Sequence, residues 1–325
     1  MKKNSTNESM SLSIWRICTA NLLLFASVYM LFPLLPFWMG QQLNIPVTQT
    51  GGMFLTFAVA LFVVGPFHAF LGDTYKRKKV LLYSLFVMLA ATLGYAFVDS
   101  YPKLLLLAFV QGGCFGLATT AGITVAIDIT PSMHRSRGNI LYAWAARLGM
   151  LVGVASGVWL YQMYGFQMAT YFSVATGLLS MFFVSRSYVA FRAPIGMSLL
   201  NIDRFLLQRA WLPAVNLMLI AFVPGVLLPL MFTGSYWSLL ALALLAFITV
   251  PFTRMFVKLS HHCQRGTANT TCHLAIESGL LIGVVVACRT MDVDVIHHIG
   301  MVAAAVSVFF FVLLTYPYYK KKRVR

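Results

Sequence analysis

Residues 51–98 read GGMFLTFAVALFVVGPFHAFLGDTYKRKKVLLYSLFVMLAATLGYAFV. Two apolar runs, 51–72 and 79–98, flank a short loop that carries Asp73 and an unbroken run of cations at 76–79. Each run has the ~20 residues that an α-helix needs to cross the hydrocarbon core of a bilayer. Charged loop residues need water, so this loop marks a membrane surface. The stretch therefore predicts two membrane-spanning helices joined at one face.

The composition extends this prediction to the whole chain. Of its 325 residues, 60% are hydrophobic and only 10% are charged, whereas a soluble domain has roughly a quarter charged residues. The mean hydropathy is +0.81. The net charge of +16 is spread over short clusters between apolar runs, so it does not indicate nucleic-acid binding. We predict an all-α integral membrane protein with the lipid bilayer as its main partner.

Ten apolar runs are long enough to span the membrane. They are 14–39, 51–72, 79–98, 103–128, 139–161, 165–185, 211–231, 236–257, 269–288 and 297–317. Alternating the loops between the two faces places every lysine and arginine on one side except Lys103, Arg289 and the intrahelical Arg147. By the positive-inside rule that side is the cytoplasm. The sequence thus predicts a multi-pass protein of the cell inner membrane, with its N- and C-termini cytoplasmic.

The loop at 69–79 resembles the loop signature of the major facilitator superfamily. The positions that match are Leu71, Asp73, Arg77 and Lys78, while the signature's outer glycines are replaced by Ala69 and Lys76. The resemblance implies a fold of two helical bundles and a cytoplasmic gating loop formed by Asp73, Arg77, Lys78 and Asp128. An ordinary basic inner loop is the alternative interpretation.

An internal repeat relates residues 135–157 to the segment 130 positions later, where Gly149 matches Gly279 and Gly153 matches Gly283. A weaker match places Asn21 over Asn216. The shift between the two registers corresponds to one absent hairpin relative to the twelve helices that the resemblance implies. We therefore predict a six-helix bundle at 1–186, a cytoplasmic linker at 187–210, and a four-helix bundle with a basic tail at 211–325.

Arg147 is the candidate for the centre of the site. It lies nine residues beyond Gly138, about 13 Å into the membrane at 1.5 Å per residue. A charge at that depth needs a partner or a cavity. Its repeat equivalent is Glu277, one turn beyond His273, and the last two could share a proton. The sequence leaves open whether Arg147 and Glu277 touch, and whether they bind substrate or lock the helices together.

Three further intramembrane polar residues, Asn21, Gln111 and Asn216, are candidates for the substrate or proton pathway, with helix-packing hydrogen bonds as the alternative. No nucleotide-binding loop and no zinc-protease or serine-hydrolase motif is present. We expect no enzyme activity, no cofactor and no metal, because Cys263, Cys272 and the nearby histidines lack ligand spacing.

The predicted function is secondary active transport of a small-molecule substrate by alternating access, with proton-coupled efflux as one form. A non-transporting membrane scaffold or receptor derived from the same fold is the alternative. The sequence indicates neither the substrate nor the oligomeric state.

Overall fold

The computed structural model describes residues 2–131, 135–189, 196–233, 235–261, 264–290 and 292–323. Every regular element in these ranges is helical. By length and composition, nine helices of the described chain can cross a membrane. In chain order they are α1 (Leu12–Gln42), α2 (Thr48–Thr74), α3 (Arg77–Phe97), α4 (Tyr101–Ile129), the long segment Arg137–Ser185, α7 (Gln208–Phe232), α8 (Trp237–Leu259), α9 (Arg265–Thr290) and α10 (Val293–Lys322).

The long segment Arg137–Ser185 contains two crossings. Its 49 residues would measure about 74 Å as one straight helix, more than twice the ~30 Å hydrocarbon core. Gly165 interrupts it with a φ of 80° and a ψ of 179°, a backbone conformation that glycine adopts without steric cost. We therefore divide it into α5 (137–164) and α6 (166–185). Ten crossings result in the described chain, which confirms the predicted count of about ten.

Contacts with α1 show that the chain reverses at Gly165. Before this residue, Gly149 packs on the backbone of Leu22 and Gly157 packs on that of Met30, so α5 runs parallel to α1.

After Gly165 the order of contacts is opposite. The Ser27 hydroxyl donates to the Ser173 carbonyl at 2.7 Å, and the Ser180 hydroxyl donates to the Ala20 carbonyl at 2.7 Å. Helix α6 is therefore antiparallel to α1, and the predicted boundary between spans 139–161 and 165–185 falls at the observed turn.

The repeat found in the sequence corresponds to a repeated helix contact. A Cβ atom added at Gly149 would lie 2.2 Å from the Leu22 carbonyl oxygen, and one added at Gly279 would lie 2.2 Å from that of Met218. Small residues thus allow α5 to approach α1, and α9 to approach α7, backbone to backbone. These contacts relate Leu22 to Met218, an offset one residue longer than that of the sequence match of Asn21 with Asn216.

The second helix of the first half, α2, and that of the second half, α8, have different packing partners. In the first half, α4 packs on α2 through Gly112, Gly113 and Gly116. In the second half α8 leads directly to α9, and an apolar groove of about 510 Å³ lies between α7, α8 and α10. This arrangement is what a six-plus-four division predicts; the exact domain limits at 1–186, 187–210 and 211–325 stay predictions.

The basic loops gather at one end of the bundle, which we call the basic face. There the Arg16 guanidinium donates to the Arg186 carbonyl at 2.9 Å, and Lys78 donates to the Ser187 carbonyl at 2.7 Å. The exposed pair Lys103–Asp99 lies at the other end, between α3 and α4. The loop alternation read from the sequence is therefore present in three dimensions.

At the end opposite the basic face the two halves pack tightly. Phe37 stacks on Phe232 with a centroid separation of 4.9 Å, and the ring of Tyr161 meets Phe232 edge-on. A Cβ atom at Gly51 would contact the backbone of Val285, so α2 and α9 are also closely apposed. These contacts hold the two halves together at this end.

Candidate functional site

Arg147 and Glu277 meet in the middle of the bundle. The Arg147 Nη1 atom lies 3.1 Å from Glu277 Oε1, and the two side chains are 3% and 0% exposed. The ion pair joins α5 of the first half to α9 of the second half. Tertiary packing thus answers the question that the sequence left open: the two charges touch.

His273 completes a three-residue cluster on the same side of α9. Arg147 Nη2 lies 2.9 Å from His273 Nδ1. Because a guanidinium can only donate, Nδ1 must accept, and the imidazole proton therefore belongs on Nε2. The Nε2 atom is buried and has no hydrogen-bond partner among the described residues. The cluster is therefore a neutral histidine beside an ion pair.

Tyr29 is a member of the site that the sequence did not single out. Its hydroxyl donates a short hydrogen bond to Glu277 Oε2, so each carboxylate oxygen has one donor. The Arg147 guanidinium also lies 5.3 Å from the centre of the Phe25 ring, within the range of a cation–π contact. The sequence signal that could have identified Tyr29 is a tyrosine within an apolar helix, because a buried hydroxyl group needs a hydrogen-bond partner.

A small cavity adjoins this cluster on the side of the basic face. Its volume is about 30 Å³, room for about two water molecules at ~10–15 Å³ each. Helices α1, α4, α5, α8 and α9 contribute its walls, so both halves line it. The lining residues include Asn21, Phe25, Thr119, Asn139, Tyr142, Arg147, Thr253, Asn269 and His273.

Five buried polar atoms of these lining residues have no hydrogen-bond partner in the described chain. They are Asn21 Oδ1, Asn139 Nδ2, Arg147 Nε, Asn269 Oδ1 and His273 Nε2. Buried polar groups are normally satisfied by protein or water, so these five atoms make the cavity a candidate site for a polar group. The cavity is too small for a metabolite in this conformation, so a solute requires the helices to separate.

The other predicted pathway residues lie in different places. Asn21 lines the cavity and donates to the Tyr142 carbonyl at 2.8 Å. Gln111 instead bonds Tyr95 and Thr92 between α3 and α4. Asn216 donates to the Ser307 carbonyl and ties α7 to α10. The structure therefore brings Asn21, Arg147, His273 and Glu277 together, but not Gln111 or Asn216.

The predicted gating loop forms contacts at the basic face. Arg77 Nη1 lies 2.5 Å from Asp128 Oδ2, which joins the start of α3 to the end of α4. Asp73 accepts hydrogen bonds from the backbone N–H groups of Gly196 and Met197 at 2.8 and 3.1 Å. The loop is thus attached to the segment that links the two halves.

Lys78, the remaining residue of the predicted loop set, donates to the carbonyls of Ser185 and Ser187 at the end of α6.

The described ranges hold no cluster of three or more histidine, cysteine or acidic side chains that could bind a metal ion. Cys263 and one of the nearby histidines, His262, lie outside those ranges.

Comparisons with known proteins agree with this architecture. The family model for the Major Facilitator Superfamily matches residues 17–318. The human organic anion transporter MFSD10 (TETRAN) has a crystal structure that superimposes with a TM-score of 0.63, covering 94% of this chain and 99% of that one at 15% identity. At that identity the likeness concerns the fold.

Three relatives from Bacillus subtilis (strain 168) are similar in sequence. The uncharacterized MFS-type transporter YtbD is 25% identical over 140 residues, which are 43% of this chain and 35% of that protein. The putative metabolite transport protein YfiG is 26% identical, covering 38% of this chain and 28% of that protein. Multidrug resistance protein 3 is 23% identical, covering 41% and 26%. The chain therefore matches about a quarter to a third of the length of these relatives.

The family model covers residues 17–318, which include nearly all of the helices. The chain therefore belongs to the Major Facilitator Superfamily.

Proposed function

We propose that this protein is a secondary active transporter that moves a small solute by alternating access. Family membership supports a membrane transporter. The cavity supports the mechanism, because α1, α4 and α5 form one wall and α8 and α9 form the other. Movement of the first helices against the second would open this space to either side of the membrane in turn.

The observation that carries the proposal is the buried pair of Arg147 and Glu277. Desolvating two charges costs several kcal/mol each, and burial of such a pair is rarely a gain over apolar packing. A cell membrane protein keeps intramembrane charges mainly where they act on substrates, ions or protons. Here the pair bridges the two halves next to five unsatisfied polar atoms.

Glu277 is the proposed site of proton coupling. Of the eight acidic residues in the sequence, it is the one placed in the middle of a membrane-spanning run. Tyr29 and Arg147 hold its two oxygens, so protonation would disconnect α5 from α9. A proton gradient could thereby act on the contact between the halves. Proton-coupled efflux is one form of the proposed transport, and the sequence leaves the direction open.

The basic face is proposed to be cytoplasmic, with both termini there, because cations concentrate in cytoplasmic loops. In that orientation the Arg77–Asp128 pair and the bonds from Asp73 to the linker would restrain the cytoplasmic ends of the helices. Opening on that side would require these contacts to change. They are therefore the proposed gate, in a cell inner membrane.

Transport by purified protein in sealed liposomes tests the proposal. A pH indicator inside the vesicles reports proton movement when a panel of anionic, neutral and cationic metabolites is added outside. We expect solute-dependent proton movement in the parent, and its loss in Arg147→Ala and in Glu277→Gln. Lys103→Ala and Asp99→Asn are the matched controls, because they remove the same charges from an exposed pair.

Two results would contradict the assignment in different ways. If Arg147→Ala and Glu277→Gln both move protons with solute as fast as the parent, the site is misplaced. If the folded parent moves no metabolite of any charge, the non-transporting scaffold or receptor becomes the better interpretation.

A further inference from the structure

We propose that the transported solute is a small organic anion with hydroxyl groups, and that it binds Arg147 when Glu277 holds a proton. The inference rests on the proposed transport function and names the substrate class of that site. The anion and the proton would occupy the site together. Their combined charge of zero would cross the membrane.

The charges around the cavity lead to this conclusion. Arg147 is the one permanently charged side chain that lines the cavity in the described chain. The titratable or charged groups that face Glu277 are Tyr29 from α1, Arg147 from α5 and His273 from its own helix. When Glu277 is ionised it neutralises Arg147, and an anion finds no uncompensated charge.

Protonation of Glu277 changes that balance. The proton would reside on Oε1, because Oε2 already accepts from Tyr29. Arg147 would then be a buried cation without a counter-ion, an unfavourable state. A carboxylate from the solute restores neutrality at the same guanidinium. Binding of the proton and binding of the anion are therefore each favoured by the other.

The unsatisfied atoms fit the same class of solute. Arg147 Nε and His273 Nε2 carry buried, unpartnered N–H groups, and the Asn139 amide nitrogen is a third. Together they are suited to carboxylate oxygens. The free oxygens of Asn21 and Asn269 are acceptors, and they suit hydroxyl groups on the rest of the solute.

A cleft on the side of the basic face places further positive charge near the central cavity. A cleft of about 510 Å³ lies between α5 and α8 and is lined by Arg137, Thr253, Arg254 and Lys258. Thr253 also lines the central cavity. Three cations and no acid line this cleft in the described chain, so it concentrates anions and repels cations. Its lining continues through Thr253 to Arg147.

Charge-matched probes test the proposal. The panel contains hydroxylated monocarboxylates (glycerate, threonate and gluconate), their uncharged amides, and hydroxylated amines. In sealed liposomes we expect the carboxylates alone to carry protons in their own direction, unaffected by an imposed potassium diffusion potential. If amides or amines are transported instead, or if carboxylates move without protons, the anion inference is wrong while the transporter proposal stands.

The most specific test uses the variant Glu277→Gln, because glutamine is uncharged like the protonated carboxyl group. This variant should lose net proton-coupled transport but retain exchange of labelled carboxylate for unlabelled carboxylate. The exchange should be independent of pH, whereas parental exchange falls as pH rises. Arg147→Gln should lose exchange altogether. Loss of exchange in folded Glu277→Gln would overturn the inference.

The cleft has its own measurement. Arg254→Gln combined with Lys258→Gln should raise the KM for carboxylates about tenfold at low ionic strength, with little change in maximal rate. Lys103→Gln, an exposed cation at the opposite end, is the matched control. An unchanged KM would exclude the cleft as the entry route. Absence of transport for every probe would count against the transporter proposal itself.

Discussion

Replacing Glu277 with leucine should destabilise the protein by about 3–5 kcal/mol, the usual cost of removing one partner of a buried ion pair. The side chain is fully buried and makes the 3.1 Å contact to Arg147. Its removal leaves the buried guanidinium without a counter-ion and takes away the acceptor of the Tyr29 hydroxyl. The lost hydrogen bond adds about 0.6 kcal/mol, the mean for helix contacts in membranes.

Arg147→Met should cost less than Glu277→Leu. The glutamate that remains in Arg147→Met can be neutralised by a proton and keeps its bond from Tyr29, whereas an isolated guanidinium holds its proton at all ordinary pH values. The cost of Arg147→Met should therefore shrink as the pH is lowered. The double variant carries no buried charge, and we expect it to be within about 2 kcal/mol of the parent.

Unfolding in mixed micelles with an increasing fraction of SDS measures these differences. A thiol-reactive dye reports the transition, since Cys18, Cys272 and Cys288 are buried and become reactive only on unfolding. Lys103→Met and Asp99→Leu form the matched pair. Both side chains are about two-thirds exposed, so each change should cost under about 1 kcal/mol.

A double-mutant cycle of Arg147→Met and Glu277→Leu tests whether the two side chains interact. A coupling energy of at least about 2 kcal/mol between Arg147 and Glu277 is expected, because the members of a buried pair depend on each other. A coupling near zero, or a cost of Glu277→Leu no larger than that of the exposed control, would refute the contact and the mechanisms built on it.

Three further predictions concern packing and the basic face. Gly279→Ala should destabilise the protein by about 1–3 kcal/mol, because its Cβ atom would lie 2.2 Å from a backbone oxygen of α7. Gly300→Ala should be neutral in the same SDS titration, because the nearest atoms lie 3.7 Å from its Cβ atom. Arg77→Asp should impair transport in liposomes and Asp128→Arg added to it should restore part of the rate, because the 2.5 Å pair is re-formed in reverse; equal rates in the single and double variants would argue against a gate. Thr271→Ala removes the hydroxyl that accepts from a buried backbone N–H group of the linker, and should cost about 1–3 kcal/mol by SDS titration, with Thr176→Ala, whose hydroxyl bonds only its own helix, as control.

Much of the fold followed from the sequence alone. The predicted spans 51–72 and 103–128 correspond to Thr48–Thr74 and Tyr101–Ile129, with ends that differ by a few residues. The prediction of 14–39 missed a break inside α1 at Phe32 and Pro33, which divides this crossing into one helical stretch that ends at Leu31 and another that begins at Leu34. Helix ends depend on local caps and contacts that hydropathy does not include.

The candidate site was predicted only in part. Arg147, Glu277 and His273 stood out because charges are costly in lipid, and the structure brings them together. Gln111 and Asn216 were chosen by the same rule, yet they bond neighbouring helices. Tyr29 was missed. In a chain this apolar, hydropathy has little periodic contrast, so it does not tell which face of a helix points to the cavity.

The sequence by itself determined the membrane environment, the number of crossings and the separation of basic loops from the opposite face. These features follow from the solvent, because each helix satisfies its own backbone within lipid and each loop needs water. Tertiary structure alone decided that Arg147 meets Glu277, that Tyr29 joins them, and that five residues with an unpartnered polar atom line one cavity. Those contacts depend on how helices from two halves are rotated and brought together, and small residues such as Gly149 and Gly279 permit that approach without specifying its partners.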